Sequence, residues 1–344
     1  MININDFYKD RVVLVTGGAG SIGSELVRKL LKLEPTVVRI LDNNETSLFD
    51  LEQELQSEKI RTFVGDVRDK ERLKRAVEDV DIIFHAAALK HVPLCEYNPF
   101  EAVKTNVIGT QNLIDIALDE EVEKVILIST DKVVNPMNVV GATKLLAERL
   151  TISANYYKGK RKIAFSCVRF GNVLDSRGSV VPLFKKQIKK GRLVTVTDPE
   201  MTRFVISIPK AVELILKAVE MAKGGEIFIL KMPALRIVDL AEAMIEELAA
   251  KYGYKTEEIK IKIIGKRSGE KLYEELMTED EAKYAYKSEE MFVVLLQTVE
   301  TTGKLSYKLP DNFKKAQTRE YSSKDVKLLT KEEIRSLLNE LNLE

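Results

Sequence analysis

Residues 16–23 read Thr-Gly-Gly-Ala-Gly-Ser-Ile-Gly, and they join a β-branched run, Arg11–Thr16, to an amphipathic stretch, Ser21–Leu33. A strand that turns into a helix through glycines at this spacing has few folds open to it. Gly17 permits the tight turn, Gly20 lets the backbone approach a pyrophosphate, and Gly23 lets helix and strand pack closely. The helix N-terminus then offers its free N–H groups to the negative charge. An acid, Asp42, follows 19 residues after Gly23 at the end of a second apolar run. A plain glycine turn accounts for the spacing but not for the strand, the helix and the acid around it. The combination predicts the first βαβ unit of a dinucleotide-binding fold.

The same rhythm continues. Apolar runs at Val37–Leu41, Arg61–Val64, Asp81–Ala86, Lys124–Ser129, Ile163–Val168 and Glu226–Leu230 alternate with helical patterns at Leu48–Ser57, Lys70–Val77 and Pro99–Leu118. This predicts an α/β chain with a Rossmann-like, doubly wound parallel sheet. After Phe170 the pattern loosens, with Gly178, Pro182, Gly191 and Pro199 around one helix at Val181–Lys190. We expect residues 1–170 and 205–232 to form the dinucleotide domain. Residues 171–204 and 233–344 are expected to form a smaller α/β substrate-binding cap, with the site in the cleft between.

With 54 basic and 53 acidic residues the net charge is +1, which argues against a nucleic-acid or anionic-membrane surface. No apolar run approaches transmembrane length, and the first residues lack a signal-peptide core, so a soluble cytoplasmic protein is expected. The two cysteines, Cys95 and Cys167, and the two histidines, His85 and His91, show no metal-ligand spacing, so no metal is expected.

Chemistry concentrates in residues 129–144, Ser-Thr-Asp-Lys-Val-Val-Asn-Pro-Met-Asn-Val-Val-Gly-Ala-Thr-Lys. Asp131 and Lys132 stand side by side where the strand Lys124–Ser129 ends, and Lys144 follows 12 residues after Lys132, in the first turn of a helix. Ligands of open parallel sheets bind outside the carboxyl ends of the strands. An adjacent acid and base at that place can donate one proton and remove another, as elimination requires. A solvated loop salt bridge is the plainer alternative. Asp42 can accept hydrogen bonds from adenosine ribose hydroxyls and would repel a 2′-phosphate. Asn43 and Asn44 follow it rather than Arg, which favours NAD over NADP. Asp66, after the third strand, could contact adenine or cap a turn.

With these motifs in view, the chain resembles the extended short-chain dehydrogenase/reductases, and within them the nucleotide-sugar 4,6-dehydratases of the CapD/polysaccharide-biosynthesis family. The resemblance rests on TGGAGSIGSEL (16–26), GDVRD (65–69), AAALKHVPLCEYNPFEAVKTNVIGT (86–110), STDKVVNPMNVVGATK (129–144), RFGNVLDSRGSVVPLF (169–184), MTRF (201–204) and GKRSGEKLYEEL (265–276). DNNETSLFDLEQEL (42–55) is more similar to the NAD-using branch than to the NADP-using, C5-inverting one. The resemblance implies UDP-N-acetylglucosamine as substrate and a UDP-2-acetamido-2,6-dideoxy-4-hexulose as product. It implies oxidation at C4, loss of water across C5–C6 and hydride return to C6, with the cofactor regenerated in each turnover.

It also implies roles. Cofactor contacts fall to Gly17, Gly20, Ser21, Ile22, Gly23, Asp42, Asp66, Val67, Ala87 and Lys144. Lys132 is the expected base for the C5 proton and must be partly neutral, which burial beside a pyridinium favours. Asp131 is the expected acid for the C6 hydroxyl and must hold a proton at that step. Thr130 is placed for the C4 oxygen. Lys90, Asn172, Arg203, Arg267 and Glu270 are the expected substrate contacts, arginine suiting a diphosphate through its planar fork. His91 is read as a loop brace. The superfamily's YxxxK motif would put Tyr four residues before Lys144, where this chain has Val140. That removes the usual base for the C4 hydroxyl and counts against a plain epimerase. Ser268 and Asp175 also depart from the pattern of relatives. A UDP-sugar 4-epimerase and a non-catalytic nucleotide-sugar-binding protein are the competing readings. Pro99–Leu118 and Lys144–Tyr157 each carry an apolar face that the resemblance implies belongs to a homo-oligomer interface, core packing within the monomer being the alternative.

Overall fold

Alternate residues of a strand face opposite sides of its sheet, so a strand that is apolar throughout must be covered twice. The computed structural model describes residues 4–191, 193–267, 269–295 and 309–341, and its core follows that rule. In β1 (Val12–Thr16), Val13 and Val15 enter one buried cluster and Leu14 another. Ile82 and Phe84 part from Ile83 in the same way in β4 (Ile82–His85), the fourth strand after β2 (Val37–Asp42) and β3 (Ile60–Val64). Each fully buried aliphatic side chain contributes roughly 1.5–3 kcal/mol.

With β5 (Lys124–Thr130), β6 (Ala164–Phe170) and β7 (Ile227–Leu230), these strands pair parallel in the order β3-β2-β1-β4-β5-β6-β7. The order reverses between β1 and β4, and a crevice opens at their carboxyl ends.

The seven expected strands are all present, with ends shifted by a residue or two. The C-terminal segment is a correction. β8 (Ala285–Lys287), β9 (Met291–Val294) and β10 (Lys314–Lys315) do not join the cap. They extend the large sheet beyond β7 in the order β7-β9-β8-β10, each pair antiparallel. Met291, Phe292, Val293 and Val294 are buried in the sheet core, which an apolar strand beside β7 can reach and a surface loop cannot.

The other cap elements have a core of their own. Val181, Phe184 and Ile188 of helix Val180–Lys189 pack with Leu240, Met244 and Leu248 of helix Ile237–Leu248. Ile334 and Leu338 of the last helix, Lys331–Glu340, complete that cluster. A capping box formed by Thr330 and Glu333 starts that helix.

Two helices differ from the sequence reading. Lys144 lies in the second turn, not the first, of helix Val139–Tyr157, because Asn138 caps it by accepting from Gly141 N at 2.8 Å. The stretch Pro99–Leu118 is interrupted by a π-helical segment, Val103–Ile108. That segment presents the buried Asn106, which accepts from Leu89 N at 2.8 Å and donates to Leu89 O and Thr143 Oγ1 at 3.0 Å. It thereby ties the loop after β4 to helix Val139–Tyr157, a frequent use of a π-bulge near a site.

Candidate active site

A cleft of about 730 Å³ lies over the carboxyl ends of the parallel strands. Its floor is the glycine turn. Gly17 has φ +65° and donates to Leu41 O at 2.7 Å, while a Cβ on Gly23 would stand 2.3 Å from Gly17 O. Neither position admits another residue without moving the turn. A Cβ on Gly20 would meet only Gly17 O, so its other side is open. Ser21, Ile22 and Gly23 open helix Ser21–Leu31, whose free N–H groups face the cleft. Asp42 at the end of β2 is held by Ala19 N and Asn44 N, both at 3.0 Å. Asp66, Val67, Ala87, Lys90, Thr130, Lys132, Lys144 and Asn172 also line the cleft. Burial opposes the charge of Asp66, but Arg68 and Asn43 donate to it and hold its pKa below the usual carboxylate range.

β5 ends in a 3₁₀ turn, Asp131–Val133, that brings Asp131 and Lys132 together. Asp131 is fully buried. Its Oδ1 accepts from Thr130 Oγ1 at 2.7 Å and Lys132 Nζ at 2.9 Å, and its Oδ2 is buried with no hydrogen-bond partner among the described residues. Lys132 also stands 3.9 Å from Glu274 Oε1. Burial alone would favour a neutral amine here. The charges of Asp131 and Glu274 outweigh it and raise the Lys132 pKa. Two flanking carboxylates thus hold the charge on Lys132, and the expected partial neutrality depends on the pyridinium beside it. Burial, then the charge of Asp131, raises the Glu274 pKa in turn. Lys144 is the opposite case. Buried and donating to Ile128 O at 2.6 Å, it is lowered to about 8 by desolvation, with Glu148 opposing.

The expected substrate residues divide. Lys90 and Asn172 are on the cleft wall; Arg203, Arg267 and Glu270 are not. Arg203 is turned inward, donating to Thr202 O, Leu272 O and Lys271 O and standing 3.5 Å from Glu274 Oε1. Carbonyls and a carboxylate occupy the fork that was expected to take a diphosphate. Arg267 is exposed, and its backbone N donates to Glu270 Oε2 at 3.0 Å. Ser268 lies outside the described residues.

Glu274 was not singled out from the sequence, although GKRSGEKLYEEL contains it. Only the packing of that segment over the β5 turn, with Lys271 Nζ donating to Val134 O at 2.6 Å, brings it to Lys132. His85 is structural: buried between Thr16 Oγ1 at 2.7 Å and Thr110 Oγ1 at 3.0 Å, it has its pKa lowered to about 3 by burial and then by Lys144.

The geometry can be tested for a dinucleotide. The glycine cradle leaves room for a pyrophosphate at a helix N-terminus. Two buried hydroxyls on the cleft wall, Ser129 Oγ and Ser179 Oγ, have no hydrogen-bond partner among the described residues. Buried polar groups are rarely left unpaired without a ligand or water to meet them. The residues present fit the group.

A reversed strand order over a glycine cradle, with an Asp-Lys turn after β5 and a buried lysine on the next helix, defines an extended short-chain dehydrogenase/reductase. Residues 13–296 match the family described as polysaccharide biosynthesis protein, and the chain belongs to it. It is 66% identical over 99% of its length, and 98% of the relative's, to an uncharacterized membrane protein of Methanocaldococcus jannaschii. No helix among the described residues is long and apolar enough to cross a membrane. It is 44% identical to the UDP-N-acetylglucosamine 4,6-dehydratase (inverting) of Campylobacter jejuni, over 79% of this chain and 78% of that one. It is 37% identical to a UDP-glucose 4-epimerase of Rickettsia akari, over 96% of each. Among solved structures, Pen from Bacillus thuringiensis superposes with a TM-score of 0.90 at 44% identity, covering 98% of this chain and 99% of that one. DesIV, a dTDP-glucose 4,6-dehydratase from Streptomyces venezuelae with NAD bound, gives 0.67 at 25% identity, covering 76% and 86%.

Proposed function

We propose that the chain catalyses NAD-dependent 4,6-dehydration of UDP-N-acetylglucosamine to a UDP-2-acetamido-2,6-dideoxy-4-hexulose. The observation that carries this reading is the Asp131–Lys132 contact of 2.9 Å beside Glu274, at the strand end where an open sheet binds its ligand. When bound, NAD would supply the acceptor for hydride from C4 and its donor to C6. Lys144 and Asp42 would hold the dinucleotide, and the Asp42 carboxylate disfavours a 2′-phosphate.

The pair holds one proton. With that proton on Lys132 it rests as an ion pair; moved to Asp131, it leaves a neutral amine beside a carboxylic acid. A single transfer across the contact thus creates the base for C5 and the acid for C6 together. Lys132 takes the C5 proton that the 4-ketone makes acidic. Asp131 gives its proton to the departing C6 hydroxyl, and water leaves. Lys132 then returns a proton to C5 as hydride reaches C6. Thr130 aligns the C4 oxygen and orients Asp131. Val140 supplies no phenol, so the C4 hydroxyl gives its proton to Asp131 or to a water held near Lys144, and that proton replaces the one Asp131 passes to the departing C6 hydroxyl.

Glu274 keeps Lys132 protonated in the resting pair. In Glu274→Gln the amine loses that support and gives up its proton at lower pH. Activity requires the shared proton, so the alkaline limb of the kcat/KM profile moves to lower pH, while wild type holds activity further into the alkaline range. A profile unmoved by the substitution would remove Glu274 from the mechanism.

Exposed Phe100, Ile108, Leu146, Tyr156 and Tyr157 lie on the two stretches expected to meet other copies of the chain, which supports a homo-oligomer. The function is tested by proton NMR of the protein with UDP-N-acetylglucosamine and catalytic NAD. A new C6 methyl signal without net NADH is expected; conversion to the C4 epimer would favour the UDP-sugar 4-epimerase reading instead.

A further inference from the structure

We infer that Arg177 is a cofactor-retaining residue: carried by a strap from the cap, its guanidinium closes over the dinucleotide and keeps it bound between turnovers. This rests on the dinucleotide reading of the cleft.

The strap is residues 174–179, between the short strand Asn172–Val173 and helix Val180–Lys189. Two left-handed residues bracket its turn, Asp175 at φ +58° and Gly178 at φ +73°. Asp is one of the few side chains that tolerate such a backbone. Three contacts fix the strap. Arg177 N donates to Ser21 Oγ at 3.0 Å, on the first residue of the helix that faces the pyrophosphate. Arg177 Nη1 donates to Ser47 Oγ at 3.3 Å, in the first turn of helix Glu45–Leu55, whose cap Asn44 lies two residues past Asp42. Gly178 lies against the His91 ring, where a Cβ would stand 2.4 Å from Cε1.

One side chain therefore runs from the phosphate end of the floor to its adenosine-ribose end. Ser176, Arg177, Gly178 and Ser179 line the same cleft as Gly20, Ser21 and Asp42. A dinucleotide on that floor lies beneath the strap and cannot leave until the Arg177 contacts open. The pyrophosphate adds its own attraction for the cation. An enzyme that regenerates its oxidised cofactor in each cycle has no need to release it, so retention suits the chemistry.

The test is the rate at which protein loaded with NADH loses its bound fluorescence when chased with excess NAD. Wild type is expected to release NADH slowly, Arg177→Ala at least about tenfold faster, as for loss of a charge-assisted hydrogen bond, and Arg177→Lys close to wild type. Release from Arg177→Ala at the wild-type rate would overturn the role of Arg177 and leave the dinucleotide site standing. Equal acceleration by Ala and Lys would overturn it too, assigning retention to the strap backbone rather than to the cation. A wild type that does not retain NADH at all would overturn both the latch and the cofactor reading.

Discussion

Asp131→Asn is expected to slow formation of the 6-deoxy product by about 10³-fold, equivalent to roughly 4 kcal/mol of barrier. The substitution keeps the shape of the side chain and its contact with Thr130, so the turn at the end of β5 should hold. What it removes is the proton. An amide cannot accept the proton from Lys132 or pass one to the C6 hydroxyl, and Oδ2 is the carboxylate oxygen left without a hydrogen-bond partner among the described residues. With the amide in place, Lys132 keeps Glu274, 3.9 Å away, as a carboxylate neighbour. Following the C6 methyl signal with time checks the rate, and titration with UDP-N-acetylglucosamine checks that binding survives. A variant within tenfold of wild type would mean that Asp131 merely braces the turn.

The second large effect is on stability. Arg169 of β6 is buried between two carboxylates. It donates to Glu148 at 2.8 and 3.1 Å, to Glu281 at 2.9 and 3.0 Å, and to Leu276 O at 2.9 Å. The guanidinium is 1% exposed, Glu148 1% and Glu281 7%. Burial works against the cation, but the two carboxylates outweigh it and raise its pKa. Removing one partner of such a network strands the others in a low dielectric. Arg169→Met should therefore cost about 3–5 kcal/mol in urea unfolding. Replacing Glu148, Arg169 and Glu281 together by apolar residues of similar volume should recover most of that loss, because no charge is then left unpaired. A loss below about 1 kcal/mol for Arg169→Met would contradict the buried network. The same residue serves the site, since Leu276 lies two residues from Glu274 and Arg169 fixes its carbonyl.

What could be read in the sequence follows from the same physics. Strands covered on both faces are continuous apolar runs, so β1 to β7 stand out, and the glycine cradle is a local feature with a local signature. β8 to β10 are two to four residues long and arrive after a break in the pattern, so nothing local ties them to β7. The start of helix Val139–Tyr157 was placed too late, because Val139 and Val140 look like a strand unless Asn138 is recognised as the cap. Arg203 shows a different limit. A motif can say that an arginine is present but not that backbone carbonyls accept from its Nη1 and Nη2. The charge state of Lys132 depends on Glu274, 142 residues away in the chain, and no spacing argument reaches that far.

The most direct measurement follows deuterium placed at C4 of UDP-N-acetylglucosamine through turnover with catalytic NAD. The expected result is a 6-deoxy-4-hexulose whose C6 methyl carries that deuterium, formed without accumulation of NADH. In deuterated water with unlabelled sugar, the new solvent-derived deuterium should appear at C5. Recovery of the C4 epimer with no methyl group would contradict elimination by the Asp131–Lys132 pair and give those residues another task.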